Sequence, residues 1–232
     1  FMHLLDTSRA TGRSFSNKVN AFNTGLLFAS HFDYQYIGNL DADISLQSNY
    51  FETIMTRFEK NKQLGIGGGM VSTSIAGQFV SQDVANDSVA GAVQFFRRAC
   101  FEQIGGYLPL RQGGIDAAAE ILARMHGWKV QTFSDLRVLE HRRTGSAVAT
   151  PLSAKVNEGL RSQSLGYGFW FMLLRCIYRL TTPPVVIGSL ATLYGYLKGV
   201  LSQNPIVLSP DVVRYLRNEQ RQKLWRLIGR VH

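Results

Sequence analysis

Apolar positions in the first 145 residues follow two alternating spacings. Short runs rich in aromatic, β-branched or glycine residues predict strands, and apolar residues three or four positions apart predict amphipathic helices. The predicted strands are Phe1–Leu5, Tyr34–Leu40, Leu64–Val71, Val89–Phe96, Trp128–Phe133 and Leu136–Glu140. The predicted helices cover Val19–Ala29, Phe51–Phe58 behind a Ser48 cap, and Ile115–Met125. This alternation predicts an α/β fold.

The pattern changes near residue 150, where a helical region begins. Two apolar segments of helical character, Leu165–Leu180 and Val185–Leu201, are separated by the breaker Thr181–Pro184. A basic segment follows from Asp211, with its apolar residues leaning to one helical face. We therefore predict two domains, residues 1–150 and residues 151–232.

Positive charge is concentrated in the second region. The chain of 232 residues has a formal net charge of +9, but residues 1–160 carry 15 Lys+Arg against 14 Asp+Glu, and residues 161–232 carry 10 against 2. Basic residues that flank apolar segments are expected beside an anionic cytoplasmic leaflet. A membrane surface is therefore the expected partner, and nucleic acid is not.

The composition excludes several classes of protein. With 45% hydrophobic and 18% charged residues, the chain is neither disordered, collagen-like nor a coiled coil. Its two cysteines lie far apart and in no metal-ligand spacing, so we expect neither disulfides nor structural zinc. A reducing compartment fits this composition.

Both apolar segments are marginal as membrane spans, because a crossing helix needs roughly 20 apolar residues. Arg175 and Arg179 interrupt the first segment, and Lys198 and three glycines interrupt the second. We expect two interfacial or re-entrant helices at the cytoplasmic face of the membrane. The alternative is that both segments pack as buried helices on the catalytic domain.

Two carboxylates follow the predicted strand Tyr34–Leu40. In an extended segment, Asp41 and Asp43 would project to the same side, roughly 6.5–7 Å apart at the backbone. Carboxylates at the end of a strand are suitable ligands for Mg²⁺ or Mn²⁺ that keeps open positions for substrate phosphates. A solvated turn or a helix cap is the alternative interpretation.

The order of motifs resembles the inverting family-two glycosyltransferases of the GT-A fold, whose catalytic domain is a Rossmann-like mixed sheet. The resemblance covers roughly residues 1–145. It rests on Lys18–Leu26, Asp41–Asp43, Gly91–Arg98, Ile104–Tyr107, Ile115–Asp116, Arg124, Gly127–Val130 and His141. It implies transfer of a sugar from a nucleotide-sugar donor to a glycan or lipid-linked acceptor, as in cell-surface polysaccharide synthesis.

The resemblance also implies a role for each matching residue. Asp116 would be the general base that takes the proton of the acceptor hydroxyl. Asp43, with help from Asp41, would hold the divalent cation that stabilises the departing diphosphate, and His141 would complete its ligand shell.

Three further residues match positions near the donor. Lys18 and Asn23 would contact the nucleotide or its phosphates, and Gly91 would lie in a glycine loop beside the donor and acceptor sugars. Each has an ordinary structural alternative: a solvated lysine, a backbone-bonding asparagine and a packing glycine.

The sequence departs from the family pattern in three ways. No strand and loop for the nucleotide base precede residue 1, so we expect an N-terminally truncated fragment. Ile115 stands where the family has a glutamate before Asp116. No Gln-x-x-Arg-Trp run follows, which favours a single transfer over polymerisation.

Two other functions remain open. Leu40–Ile44 is similar to the Asp-x-Asp motif of haloacid-dehalogenase-like phosphatases, but the chain lacks the later Asp-Asp pair. The chain could also be a non-catalytic, membrane-associated module in which the carboxylates are structural.

Overall fold

The computed structural model describes residues 3, 5, 15–75, 78–81, 85–141, 150–182 and 184–228. It divides into two compact units between Arg143 and Thr144. The first unit is mixed α/β and the second is helical.

Among the residues that the structure describes, the first unit contains a mixed sheet and four helices. Its elements are α1 (Phe15–Ala29), β1 (Tyr36–Leu40), β2 (Ile44–Leu46), α2 (Tyr50–Lys60), β3 (Leu64–Ile75), β4 (Gln78–Ser81), β5 (Val93–Arg97), α3 (Arg98–Gln103), α4 (Ile115–Met125) and β6 (Lys129–Glu140). The strand order is β1-β5-β3-β6-β2, and β4 pairs with β3. β3 and β6 are parallel, and the other pairs are antiparallel. β1, β3 and β6 therefore point in the same direction.

The core of this unit lies between α2 and the sheet. Tyr50, Ile54 and Phe58 project from one face of α2 and pack with Val71 and Val138 among the buried strand residues. The Tyr50 hydroxyl accepts a hydrogen bond from the Gly69 N–H at 2.9 Å, so the polar end of this buried ring is satisfied. Residues four apart on α2 thus anchor the helix to the sheet.

Most predicted elements of the first unit are confirmed, but several boundaries were wrong. The segments Trp128–Phe133 and Leu136–Glu140 form one strand, β6, with an irregularity opposite Gly69 and Met70. The expected strand from Val89 begins only at Val93. The short strands β2 and β4 were not predicted, and Phe1–Leu5 lies mostly outside the described residues.

The predicted cap of α2 was also wrong. The residue at the N-terminal boundary is Asn49 rather than Ser48, and it makes no side-chain capping bond. Phe51, expected on the apolar face, is 43% exposed, because the buried face begins at Tyr50 instead.

The second unit consists of α5 (Pro151–Ser164), α6 (Phe169–Tyr178), α7 (Ile187–Leu201) and α8 (Pro210–Ile228). The last three helices were predicted from the sequence, and α5 was not. The Ser153 N–H donates to the Thr150 hydroxyl at the start of α5, and Pro151 occupies its first turn. None of the helices among the described residues is long and apolar enough to span a membrane.

Two glycines bring α5 and α7 into close contact. A Cβ on Gly159 would lie 2.0 Å from the carbonyl oxygen of Thr192, and a Cβ on Gly195 would lie 2.0 Å from that of Val156. Real side chains do not approach a backbone atom this closely. The two helices therefore pack backbone against backbone at a point where only glycine fits.

We predict that Gly195→Ala destabilises the protein by about 1–3 kcal/mol, because the methyl group forces the two helix backbones apart. The control is Gly25→Ala in α1, where an added Cβ meets no atom within 4 Å. This control should be neutral or stabilising by up to about 1 kcal/mol, since alanine favours the helix. Urea unfolding measures both, and equal stability of the two variants would contradict the close packing.

Candidate active site

Asp41 lies where β1 ends, and it has two fixed partners. Its carboxylate accepts from the Lys18 ammonium of α1, with Nζ 2.6 Å from Oδ1. Its backbone N–H donates to the Ala92 carbonyl at 3.0 Å. Both side chains of the ion pair remain partly exposed. Asp41 is thus tied to both α1 and the segment that leads into β5.

Asp43 belongs to the turn between β1 and β2, so the expectation of an extended segment through both carboxylates was wrong. The antiparallel pairing of β2 with β6 places Asp43 beside His141. The backbone N–H of His141 donates to the backbone carbonyl of Asp43 at 2.9 Å. The His141 Nε2 lies 2.7 Å from the Ser45 hydroxyl. No described side chain pairs with the Asp43 carboxylate, so it is available to a ligand.

Asp41, Asp43 and His141 are the candidate ligands for a divalent cation. Within the described ranges, no three His, Cys, Asp or Glu residues are grouped closely enough to hold a metal ion. Asp43 and His141 are neighbours through a backbone hydrogen bond at the end of β6, so one carboxylate and one imidazole belong to adjacent residues of the sheet. Mg²⁺ and similar cations commonly use one or two protein ligands and take the remainder from water and substrate phosphates. The pair therefore fits a cation that binds together with a phosphorylated donor.

Asp116 lies in the first turn of α4 and packs directly on Gly91. A Cβ added at Gly91 would lie 2.7 Å from Asp116 Oδ2, so a side chain at this position would displace the carboxylate. Among the described residues, none donates a hydrogen bond to the Asp116 carboxylate. This carboxylate is partly exposed, and it can therefore accept a proton from a bound molecule.

A second carboxylate, Glu120, lies one turn further along α4 and is buried. It accepts from the Val89 N–H at 2.7 Å, from the Ser88 hydroxyl at 2.8 Å and from the Gln94 amide at 3.2 Å. Arg124 lies 3.7 Å away as an ion-pair partner. Burial raises the pKa of Glu120 to about 7, although these partners act in the opposite direction.

The polar network continues from Glu120 to the end of β1. The Tyr107 hydroxyl donates to Gln94 Oε1 at 2.7 Å, and the Asn39 amide donates to the Gly91 carbonyl at 3.1 Å. Asn39 also lies 3.4 Å from the Tyr107 hydroxyl. Burial is the main cause of the raised pKa of Tyr107. The segment 88–92 is therefore held from both sides by buried polar side chains.

The predicted site residues fall into three linked groups. Lys18 pairs with Asp41, Asp43 adjoins His141, and Gly91 packs on Asp116. The backbone bond from Asp41 to Ala92 joins the first group to the third. Asn23 is not brought into this cluster: it is exposed, about 140° around α1 from Lys18, and no described contact links it to the other residues.

The buried polar network around Glu120 was not predicted from the sequence. Asn39, Gln94 and Glu120 are 8%, 0% and 4% exposed, respectively. A signal was available for one of them, because Glu120 is the lone carboxylate in the alanine-rich stretch after Asp116. No comparable sequence signal marks Asn39.

Comparisons with known proteins do not assign a family. No protein-family model matches the chain, and no curated protein sequence does. Mannosyltransferase PcManGT from Pyrobaculum calidifontis, solved in complex with GDP-Man and Mn²⁺, aligns with a TM-score of 0.48 and 14% identity over 96% of this chain and 63% of its own. GalNAc-T7 with UDP, GalNAc and Mn²⁺ aligns with a TM-score of 0.47 and 13% identity over 78% and 40%. The chain covers less than two thirds of the length of either protein, and TM-scores below 0.5 are too low to assign a function.

We predict that Glu120 makes stability fall as the pH rises. Because its pKa is about 7 in the folded chain against an ordinary value of 4.5, the folded state keeps a proton that the unfolded state has lost. The free energy of unfolding therefore decreases between about pH 4.5 and pH 7, by up to about 3 kcal/mol.

Urea unfolding at a series of pH values measures this decrease. Glu120→Gln should remove it, since glutamine can keep the bond from Val89 but does not titrate. Glu59→Gln, at an exposed position of α2, is the control and should retain it. Identical pH profiles for the two variants would contradict the assignment.

Proposed function

We propose that this chain is the catalytic part of a glycosyltransferase of the GT-A type, which transfers one sugar from a nucleotide-sugar donor to a hydroxyl of an acceptor. The observation that carries the proposal is the position of segment 88–92. Its Ala92 carbonyl binds Asp41 at the end of β1, and its Gly91 packs on Asp116. A site for donor phosphates and a candidate base thus share one loop.

The candidate base is Asp116. Its carboxylate is partly exposed, and no described residue donates a hydrogen bond to it, so its lone pairs are available to an acceptor hydroxyl. As the hydroxyl oxygen attacks the sugar carbon opposite the leaving diphosphate, Asp116 takes the hydroxyl proton. Attack from the side opposite the leaving group would invert the configuration at that carbon.

Asp43 and His141 are the residues that would hold a divalent cation, Mg²⁺ or Mn²⁺. When bound, such a cation neutralises charge that develops on the leaving diphosphate. Lys18 contributes a further positive charge at the end of β1, where its ammonium pairs with Asp41. Because Gly91 lacks a side chain, the Asp116 carboxylate can pack against its backbone.

A further part of the proposal is that the helical unit attaches the protein to the cytoplasmic face of a membrane. The small residues of α7 face inward: Gly188, Ser189, Ala191, Thr192, Gly195 and Gly199 are buried. Most of its large apolar residues are exposed, including Ile187, Leu190, Tyr194 and Leu201, whereas Tyr196 is buried. This is the reverse of a helix that packs in a water-soluble core, and it is typical of helices beside lipid. An acceptor linked to a lipid would be presented at the same surface.

We predict that Asp116→Asn lowers turnover by at least about 10²-fold, because the amide cannot take the acceptor proton. Donor binding should change little, since the base acts on the acceptor. Transfer is measured on the full-length protein with a panel of nucleotide sugars, and NMR of the product determines the configuration of the new bond.

The control for this experiment is Asp33→Asn, a charge-matched change at an exposed position after α1. It should retain full turnover. Near-normal turnover of the Asp116 variant would exclude this carboxylate as the base, and a product with retained configuration would exclude the in-line attack.

We predict that Asp43→Ala removes Mn²⁺-dependent donor binding, whereas Asp41→Ala weakens it less. The reason is that no described side chain pairs with the Asp43 carboxylate, whereas the Asp41 carboxylate is already paired with Lys18. Calorimetry of nucleotide-sugar binding, with Mn²⁺ or with a chelator, measures both effects. Equal losses in the two variants, or binding that is insensitive to the chelator, would contradict a cation at Asp43.

A further inference from the structure

Four charged side chains form a cluster within the helical unit. Glu158 of α5 accepts from Arg175 of α6 at 2.9 Å and from Arg179 at 3.3 Å through Oε1. Its other oxygen, Oε2, accepts from the Lys155 ammonium at 3.0 Å. One carboxylate therefore pairs with three cations, and the charges of these four side chains sum to +2.

The excess charge lies in a partly sheltered position. The cationic side chains are 28%, 28% and 29% exposed for Lys155, Arg175 and Arg179. Burial alone would raise the pKa of Glu158, but the three cations lower it, so this carboxylate stays ionised at neutral pH. A shielded site with a net positive charge binds an anion more strongly than an exposed lysine does.

The cluster opens into a small pocket between α5, α6 and α7. The pocket is also lined by Cys176, Thr182, Gly188, Ser189 and Thr192. Two of the three cations are arginines, whose fork of N–H groups matches the oxygens of a phosphate. Charge and shape therefore favour a tetrahedral oxyanion over a second carboxylate.

Exposed apolar residues belong to the same turns that supply this pocket. Ile177 and Tyr178 immediately precede Arg179, and they are 53% and 83% exposed. Val185 and Ile187 lie just before Gly188 and are also exposed. A free phosphate ion would leave these side chains in water, whereas a lipid would cover them with its chains.

We propose that the pocket formed by Lys155, Arg175 and Arg179 binds the phosphate of an anionic membrane lipid. The acyl chains of that lipid lie against the exposed apolar residues of α6 and α7. The inference rests on the membrane attachment proposed above and gives it a specific headgroup site. The basic residues of α8 then act only through their general attraction to an anionic surface.

Flotation of the full-length protein with vesicles tests this site. One set of vesicles contains phosphatidylcholine alone, and the other contains phosphatidylcholine with phosphatidic acid, whose terminal phosphate is accessible to a pocket. We expect flotation with phosphatidic acid only. We also expect a shift of tryptophan fluorescence to shorter wavelength that is lost in Trp170→Phe, because this side chain of α6 is 70% exposed.

The pocket variant combines Lys155→Gln with Arg175→Gln and leaves Glu158 paired with Arg179. Its control combines Arg221→Gln with Arg226→Gln, which removes the same two charges from exposed positions of α8. We expect the pocket variant to bind at least about tenfold more weakly than the control. Equal weakening of the two would overturn the site, because diffuse attraction depends only on the number of charges.

Thermal unfolding establishes that each variant is folded. If the pocket variant is not, Lys155→Gln alone is compared with Arg221→Gln alone, since it keeps both arginines on Glu158. Weaker flotation of the Lys155 variant supports the site, and equal flotation overturns it.

Inorganic phosphate distinguishes a lipid headgroup from a free anion. We expect flotation to persist in millimolar phosphate, because the apolar contacts are available only to a lipid. Saturable binding of phosphate without flotation would overturn the lipid assignment. Flotation on phosphatidylcholine alone would overturn the headgroup site but keep the membrane attachment, whereas no flotation on any vesicle would overturn both.

Discussion

Burial of the Glu120 carboxylate fixes the loop on which the candidate active site depends. A carboxylate removed from water needs hydrogen-bond donors, and the nearest ones are the Val89 N–H and the Ser88 hydroxyl of segment 88–92. The same segment ends at the carbonyl that binds Asp41, and it carries the glycine on which Asp116 packs. Burial of the Glu120 side chain thus positions segment 88–92, which contacts both Asp41 at the end of β1 and Asp116 at the start of α4.

The fold was predictable where one period dominates a segment. The helix over Ile115–Met125 was predictable from spacing, because apolar residues such as Ile115, Ala118 and Ile121 are buried. The strand that ends at Leu40 was predictable from its aromatic and β-branched residues, although its buried residue is Asn39 and Leu40 is 41% exposed. α5 has no such signal, since its sequence is mostly polar and its close contact with α7 is made through Gly159. β6 was divided in two because its polar residues near Asp135 resemble a turn, although pairing with β3 continues on both sides.

The candidate site was predictable only in part, and for a related reason. The sequence placed Asp41 correctly after a strand, but it did not reveal the turn at Asp43. His141 lies almost a hundred residues away and reaches Asp43 only through the register of β2 on β6, which a pattern does not disclose. Gln94 and Glu120 have polar side chains at positions that the core buries, so each acquires its partners only from the tertiary structure.

In the helical unit, small residues are buried where α5 and α7 meet, and most large apolar residues of α7 are exposed. Where α5 and α7 touch, Gly159 and Gly195 allow backbone contact and leave no room for large apolar side chains. Those side chains, such as Leu190 and Leu201, must then lie on the outer face of α7, where Leu201 is 82% exposed. Because these side chains stay exposed, they do not contribute hydrophobic burial to the stability of the unit. The cationic pocket is lined by Gly188, Ser189 and Thr192 at the start of the same helix, so the anionic lipid proposed above would meet both the positive charge and the exposed apolar side chains.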